Sequence, residues 1–213
     1  PALDPVAEAV RFVDAGKGVA DEKAALDGAR FILIERIGES AALVGDLREW
    51  LWATGVITSK VLKNKETEGA KFSDYFDFSQ RVSEMPSHRA LALLRGRNEG
   101  FLNIDLDVVT EAGRPHPAEL RIMTAFNIAD RGRLADRWLI DTVKLAWKAK
   151  LHVSLAVDLL TRMKEGSDTA AITVFKTNLK DLMLAAPAGP RVTMGLDPGI
   201  RTGVKVAVVD ATG

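Results

Sequence analysis

Apolar and polar residues follow a mainly helical pattern in the first quarter of the chain. The segment Asp4–Val13 predicts a short helix that aspartate caps, with Pro5 at the first position, where a missing N–H costs least. A longer pattern covers Asp21–Trp52, in which apolar residues recur at helical spacing. Gly38 and Gly45 predict breaks within it. The beginning of the chain is therefore expected to be a set of short amphipathic helices.

Further helices are predicted after residue 85. A compact helix would begin at Ser87, a candidate N-cap that follows Pro86, and end at Gly96. Three more helical patterns cover 118–128, 134–164 and 168–185. The second of these places apolar residues along one side and would measure about 45 Å at 1.5 Å per residue. We expect it to be the spine of the segment.

Strand patterns are few. Phe101–Val109 alternates apolar and polar residues, which predicts the one strand before the end of the chain, and Lys60–Lys71 is polar and predicts an exposed turn or helix start. A linker at 185–190, rich in alanine, proline and glycine, precedes two predicted strands, Val192–Asp197 and Gly203–Asp210, joined by a turn. They form a hairpin, which alone is only marginally stable.

These elements predict a mainly α fold with a small β element. We expect an N-terminal helical segment at 1–57, a central helical segment at 58–186 with a short β element near 101–109, and a linker with a first β-hairpin at 187–213. The start has neither an initiating Met nor the features of a signal peptide, so we expect the chain to be part of a longer protein.

Charge and composition exclude several functions. Acidic and basic residues balance at 29 each, so any contact with a polyanion requires a local patch. The first 50 residues contain 10 acidic and 6 basic residues, which places a basic patch after residue 50. The absence of cysteine excludes disulfides and thiolate chemistry. Charged residues interrupt the apolar stretch Trp138–Leu160, so no membrane contact is predicted.

Two clusters are candidates for nucleic-acid binding. Guanidinium groups at a helix end suit phosphate contacts. The candidate residues are His88, Arg89, Arg95 and Arg97. Alternatively, His88 is structural and the arginines pair with Asp74, Asp77, Glu84 or Glu99. Phe72–Phe78 holds four aromatic residues, which favour core packing over base stacking. No metal site or cofactor is predicted, because His88, His116 and His152 are far apart in sequence.

Four blocks of sequence resemble the Tex family of transcription accessory proteins. They are FSDYFDFSQ at 72–80, PSHRALALLRGRNEGFL at 86–102, AITVFKTNLKDLMLAAPAG at 171–189 and GLDPGIRTGVKVAVVDATG at 195–213. The resemblance implies a cytoplasmic transcription protein whose YqgF-type, RNase H-like domain opens with the last block. It also implies downstream helix-hairpin-helix and OB-type RNA-binding modules, with nucleic acid as the main partner and the transcription machinery as a second candidate.

The role of Asp197 distinguishes a nuclease from a nucleotide-binding hairpin and from a non-catalytic scaffold. Through the resemblance it matches the first metal-binding carboxylate of RuvC-like nucleases, but such chemistry needs several carboxylates, and Tex domains of this type are regarded as lacking an intact set. A second alternative is an actin-like nucleotide-binding hairpin that uses Gly199, Gly203 and Lys205. We expect instead a vestigial Asp197 and a non-catalytic helical scaffold.

Overall fold

The structure, a computed structural model, describes residues 3–187, 189–199, 202–210 and 212. The chain divides into two compact units, residues 1–171 and 172–213. It is mainly helical, with a small antiparallel sheet and a closing two-stranded hairpin, which confirms the predicted fold class. The division into segments 1–57, 58–186 and 187–213 stays a prediction.

Three helices open the first unit. Helix α1 spans Pro5–Ala9 and is capped as predicted, because Asp4 Oδ1 accepts a hydrogen bond from the Val6 amide at 3.0 Å. Helix α2 spans Glu22–Gly38 and α3 spans Ala41–Thr54, so the break after Gly38 is confirmed.

The predicted break at Gly45 is wrong, because this residue lies inside α3. Glycine lowers helix stability by only about 1 kcal/mol relative to alanine. Burial of Leu43, Leu47 and Leu51, spaced four residues apart on one side of α3, outweighs that cost.

The first unit contains a sheet of three antiparallel strands in the order β2-β1-β3. Strand β1 spans Val56–Val61, β2 spans Asp77–Arg81 and β3 spans Leu102–Asp107. Only β3 was predicted, and the polar segment expected from Lys60 onward begins inside β1. The inward-facing residues of β1 are Ile57 and Ser59, both buried, and the serine removes the apolar alternation that marks a half-buried strand.

Helix α4 spans Ser87–Asn98 and differs from its predicted form at both ends. Ser87 is its first residue rather than its cap, because Pro86 occupies the N-cap position without a side-chain hydrogen bond. Gly96 does not end the helix. It is buried within it and faces Leu102 of β3.

The remaining helices are α5 at Pro117–Ala125, α6 at Asp136–Ala146 and α7 at His152–Met183. A π-helical segment, Trp147–Leu151, connects α6 directly to α7. The interruption predicted between 164 and 168 is therefore absent. No helix among the described residues is long and apolar enough to span a membrane.

A single hydrophobic core joins these elements in the first unit. Phe72 is 5% exposed and belongs to this core, and Tyr75, Phe76 and Phe78 pack against it. Core packing of the aromatic run is thus confirmed. The core residues exposed by 1% or less are Leu47, Leu51, Ile57, Ala90, Leu93, Leu106, Ala118, Ile122, Val143, Ala146, Leu155 and Leu159.

The second unit contains the predicted hairpin. Strand β4 spans Thr193–Pro198 and pairs antiparallel with β5, Val204–Val209. Ala188 of the predicted linker and Ile200 and Arg201 of the predicted turn lie outside the described residues. One face of the hairpin is apolar and more than half exposed. Its paired residues are Met194 with Val208 and Leu196 with Val206.

Candidate nucleic-acid interface

Helix α4 exposes all four predicted binding residues, His88, Arg89, Arg95 and Arg97. With about 3.6 residues per turn, His88 and Arg95 share one side of the helix, and Arg97 projects from nearly the opposite side. The structure therefore does not collect the four side chains on one face.

Two of these arginines have partners within the fold. Arg89 Nη1 donates to Gln80 Oε1 at 3.1 Å, and Arg95 Nε donates to Glu99 Oε1 at 2.7 Å. Glu99 was among the alternative partners named from the sequence, and Gln80 was not. Over the described part of the chain, the side chains of His88 and Arg97 have no hydrogen bond or ion pair.

Glu99 joins α4 to the aromatic segment. Its carboxylate binds Lys71 as well as Arg95. The hydrogen bond from Lys71, followed by that from Arg95, lowers the pKa of Glu99. The Lys71 ammonium also lies 5.0 Å from the centre of the Phe72 ring. Because one carboxylate is shared by two cations, this end of α4 retains one net positive charge before Arg97 is counted.

A cavity of about 270 Å³ lies beside the N-terminus of α4. Its polar lining comes from Ser83, Ser87, Arg162 and Ser167. Ser167 is only 5% exposed, and no hydrogen-bond partner for its hydroxyl exists among the residues that the structure describes. No local pattern in the sequence marks this cavity, because α7 contributes its far wall through Ser167, 80 residues beyond Ser87.

A second polar cluster was missed by sequence reasoning. His116 Nδ1 accepts a hydrogen bond from the Ala118 amide at 3.1 Å, so Nε2 carries the proton and donates to Asp107 Oδ1 at 3.1 Å. His152 Nε2 donates to the Leu106 carbonyl at 2.9 Å and lies 3.5 Å from Asp107 Oδ2. The Trp147 ring stacks on His116 with centroids 5.1 Å apart.

This cluster fastens the end of β3 to the start of α5 and to the π-helical segment. The hydrogen bonds of His116 and His152 join three separate elements, which favours a structural role for the cluster. His116 and His152 meet at one carboxylate although 36 positions separate them, and that separation explains why the sequence did not reveal the cluster. The one available signal was Pro117, which marks His116 as a helix N-cap.

Asp136 is a buried carboxylate that also has a structural role. It accepts hydrogen bonds from the amides of Arg131 and Arg133 at 2.8 and 3.0 Å and from Arg133 Nε at 2.9 Å. The Arg133 guanidinium, helped by the two amides, holds the pKa of Asp136 well below its usual range. This arrangement stabilises the start of α6.

Asp197 lies on the face of the hairpin opposite the apolar one, together with Gly195 and Ala207. It is opposite Lys205, whose Nζ is 3.4 Å from Asp197 Oδ2. The Gly199 amide donates to the Gly203 carbonyl at 2.9 Å, so the turn itself uses this group. Among the described residues, no three histidine, aspartate or glutamate side chains are arranged to hold a metal ion.

Taken with the single core, these contacts define a helical architectural segment that leads into a β-hairpin. Residues 1–175 match the family model described as Tex central region-like. The chain therefore belongs to the Tex family, and it is a mainly helical scaffold segment of a Tex-like protein.

Relatives of known sequence match most or all of the chain. It is 47% identical over 220 residues to Protein tex of Bordetella pertussis, an alignment that covers 100% of this chain and 28% of that protein. It is 54% identical over 201 residues to Transcriptional accessory protein Tex of Neisseria gonorrhoeae, covering 92% and 26%. S1 RNA-binding domain-containing protein 1 of Homo sapiens is 23% identical over 157 residues, covering 73% and 16%. The chain thus spans about a quarter of the length of the two bacterial relatives.

Proposed function

We propose that this segment is a non-catalytic scaffold within a cytoplasmic transcription accessory protein that binds nucleic acid. The observation that carries the proposal is the single core of the first unit, which extends from α2 to α7. Two carboxylates beside this core have partners within the protein: buried Asp136 binds two backbone amides and Arg133, and half-buried Asp107 binds His116. A segment of this kind fixes the positions of neighbouring modules and contributes little chemistry of its own.

The hairpin is proposed to open a YqgF-type, RNase H-like domain. Its apolar face, more than half exposed, is suited to further strands and helices of such a domain. Two-metal hydrolysis requires several carboxylates around both ions. Asp197 instead faces a lysine, which supports a vestigial role for it. The alternative of a metal-dependent nuclease would require the missing carboxylates to come from other parts of the protein.

Nucleic acid is the proposed main partner, bound chiefly by other modules of the protein, and the transcription machinery is a second. The name of the human relative includes an S1 RNA-binding domain, which is the kind of module proposed here. Within this chain, the contact is proposed at His88, Arg89, Arg95 and Arg97 of α4. Arg97 and His88 are the exposed members without a partner in the described structure, so they are available to phosphates.

An anisotropy titration with a labelled 20-nucleotide single strand tests the proposal. Because the chain is neutral overall and the α4 arginines are partly paired, we expect a Kd of about 10⁻⁴ M or weaker at physiological salt. Arg97→Gln should weaken binding at low salt and reduce its salt dependence by about one phosphate contact. Arg137→Gln, at an exposed arginine of α6, is the matched control and should leave binding unchanged.

Two results would reject this contact. Binding tighter than micromolar at physiological salt would show that the segment is a principal binding module and not a scaffold. An equal loss of affinity in Arg97→Gln and Arg137→Gln would show that binding follows total charge and does not use α4.

A further inference from the structure

We infer that the cavity beside the N-terminus of α4 is a binding site for a phosphate group. The source is either the backbone of a nucleic acid or a smaller phosphorylated molecule, and both present the same oxyanion. The nucleic-acid source rests on the proposed function, whereas the phosphate site itself does not.

Ser167 is the first observation that points to a ligand. It sits on α7, is 5% exposed and lines the cavity, yet its hydroxyl has no partner among the described residues. Serine and threonine hydroxyls inside helices commonly bond to the carbonyl four residues earlier, as Thr161 does here. Ser167 Oγ is not among the fully buried unpaired atoms of the described residues, so this hydroxyl opens onto the cavity that it lines. An unpaired hydroxyl that lines an open cavity is therefore suited to donate to a bound acceptor.

The start of α4 supplies backbone donors on the opposite side. Arg89 and Ala90 both donate their amides to the Pro86 carbonyl at 3.0 Å, whereas the amides of Ser87 and His88 have no acceptor in the described structure. Pro86, at the N-cap, makes no side-chain hydrogen bond that would occupy them. Free amides at the positive end of a helix dipole bind phosphates readily. The hydroxyls of Ser83 and Ser87 line the same space.

Arg162 places a cation at the cavity in a fixed orientation. Its guanidinium lies 4.2 Å from the centre of the Trp52 ring, and Nη1 donates to both carboxylate oxygens of Glu49 at 2.9 and 3.1 Å. Stacking on the ring holds the guanidinium plane, and the other nitrogens have no protein acceptor over the described residues. Glu49 reduces the positive charge at the cavity, so we expect the affinity for phosphate to be modest.

Size restricts the ligand. The cavity volume of about 270 Å³ is below the roughly 300–1,000 Å³ that is usual for whole small-molecule ligands. Gly166 also lines it, and a Cβ built there would meet no atom within 4 Å, so the backbone of α7 leaves the cavity open. The space suits one phosphate group with bound water, whether free or attached to a larger molecule outside.

The experiment is a titration of the isotopically labelled chain with inorganic phosphate, followed through backbone amide shifts. We expect the amides of Ser87 and His88 to move in a saturable manner. Ser167→Ala should weaken phosphate binding about tenfold, as expected for one hydrogen bond to a charged acceptor. Ser154→Ala, at an exposed serine of the same helix, is the control and should leave the affinity unchanged. Ser83→Ala is a second variant at an exposed position and should weaken binding about threefold.

The outcomes separate the two sources. If a ten-nucleotide single strand displaces the phosphate, the site binds nucleic-acid backbone. If phosphate binds and Ser167→Ala weakens it while the oligonucleotide does not compete, the phosphate site stands and the proposed nucleic-acid contact fails here. Amides that do not move with phosphate would overturn the inference. So would equal phosphate affinities in the wild type, Ser167→Ala and Ser83→Ala.

Discussion

Leu102 of β3 fills the space that a side chain at Gly96 of α4 would need. A Cβ at position 96 would lie 2.5 Å from Leu102 Cδ1 and 2.9 Å from its Cγ. Both residues are buried. The glycine therefore allows α4 to approach the sheet closely, and this contact fixes the helix that carries the candidate interface.

Gly96→Ala should destabilise the chain. The added methyl group overpacks the contact with Leu102, which typically costs about 1–3 kcal/mol and opposes a gain in helix propensity of about 1 kcal/mol. Urea unfolding measures the difference. Gly45→Ala in α3 is the control, because a Cβ there meets nothing within 4 Å, and it should raise stability by up to about 1 kcal/mol. Equal stabilisation of both variants would contradict the close contact between α4 and β3.

Phe72→Ala should have the largest effect within the aromatic run. Its ring is 5% exposed, and loss of a buried phenylalanine costs about 3–5 kcal/mol. Phe78→Ala should cost less, because Phe78 is only partly buried against the core. Thermal unfolding of the two variants gives the order. An unchanged midpoint for Phe72→Ala would mean that the ring is exposed and would revive base stacking as its role.

Asp136→Asn should destabilise the chain in a pH-dependent manner. The pKa of Asp136 is lowered on folding, so its carboxylate stabilises the folded state above its ordinary pKa of 3.8, and this contribution is lost as the pH falls toward the lowered value. The stability difference between wild type and variant should be constant near pH 7 and smaller at pH 3. Asp130→Asn is the control, since Asp130 is exposed and, within the described part of the chain, accepts a hydrogen bond only from the Gly132 amide. A difference that widens in acid would contradict the assignment.

Asp197→Asn should cause no loss of nuclease activity in the full-length protein. Asp197 pairs with Lys205 across the hairpin, and we expect no magnesium- or manganese-dependent cleavage that the substitution could abolish. Both proteins would be incubated with single-stranded and branched DNA and RNA, with folding checked by circular dichroism. Metal-dependent cleavage by the wild type that disappears in the variant would reject the scaffold proposal for this domain.

A helix or strand is predicted well from the sequence where its own residues form a regular apolar face. Strand β3 alternates leucine and isoleucine with polar residues and was predicted, whereas β1 buries a serine and β2 contributes only Phe78 as a partly buried apolar side chain. Glycine interrupts helices in this chain less often than the sequence pattern predicts. Gly45 and Gly96 both lie within helices, because tertiary packing outweighs a local cost of about 1 kcal/mol each.

The candidate site was only partly predictable for a different reason. The four residues of α4 are adjacent in sequence and could be named, but their pairing with Gln80 and Glu99 depends on where a strand and a helix end lie in space. Ser167 carries no local sign of its position opposite α4, since one hydroxyl within a polar stretch is typical of a solvated helix face. Contacts between residues that are distant in sequence can be identified only once the fold is known.

The π-helical segment Trp147–Leu151 sets the phase of everything that follows it along the helix. Such a segment contains one residue more than an α-helix of the same span, so deleting one residue here and closing the segment to an α-helix would keep later side chains in their present directions. Leu155, Leu159 and Met163, buried at four-residue intervals, would then stay in the core. The same deletion within α7 would rotate every later side chain by about 100°, so the π-helical segment is the place where this long helix best accepts a change of length.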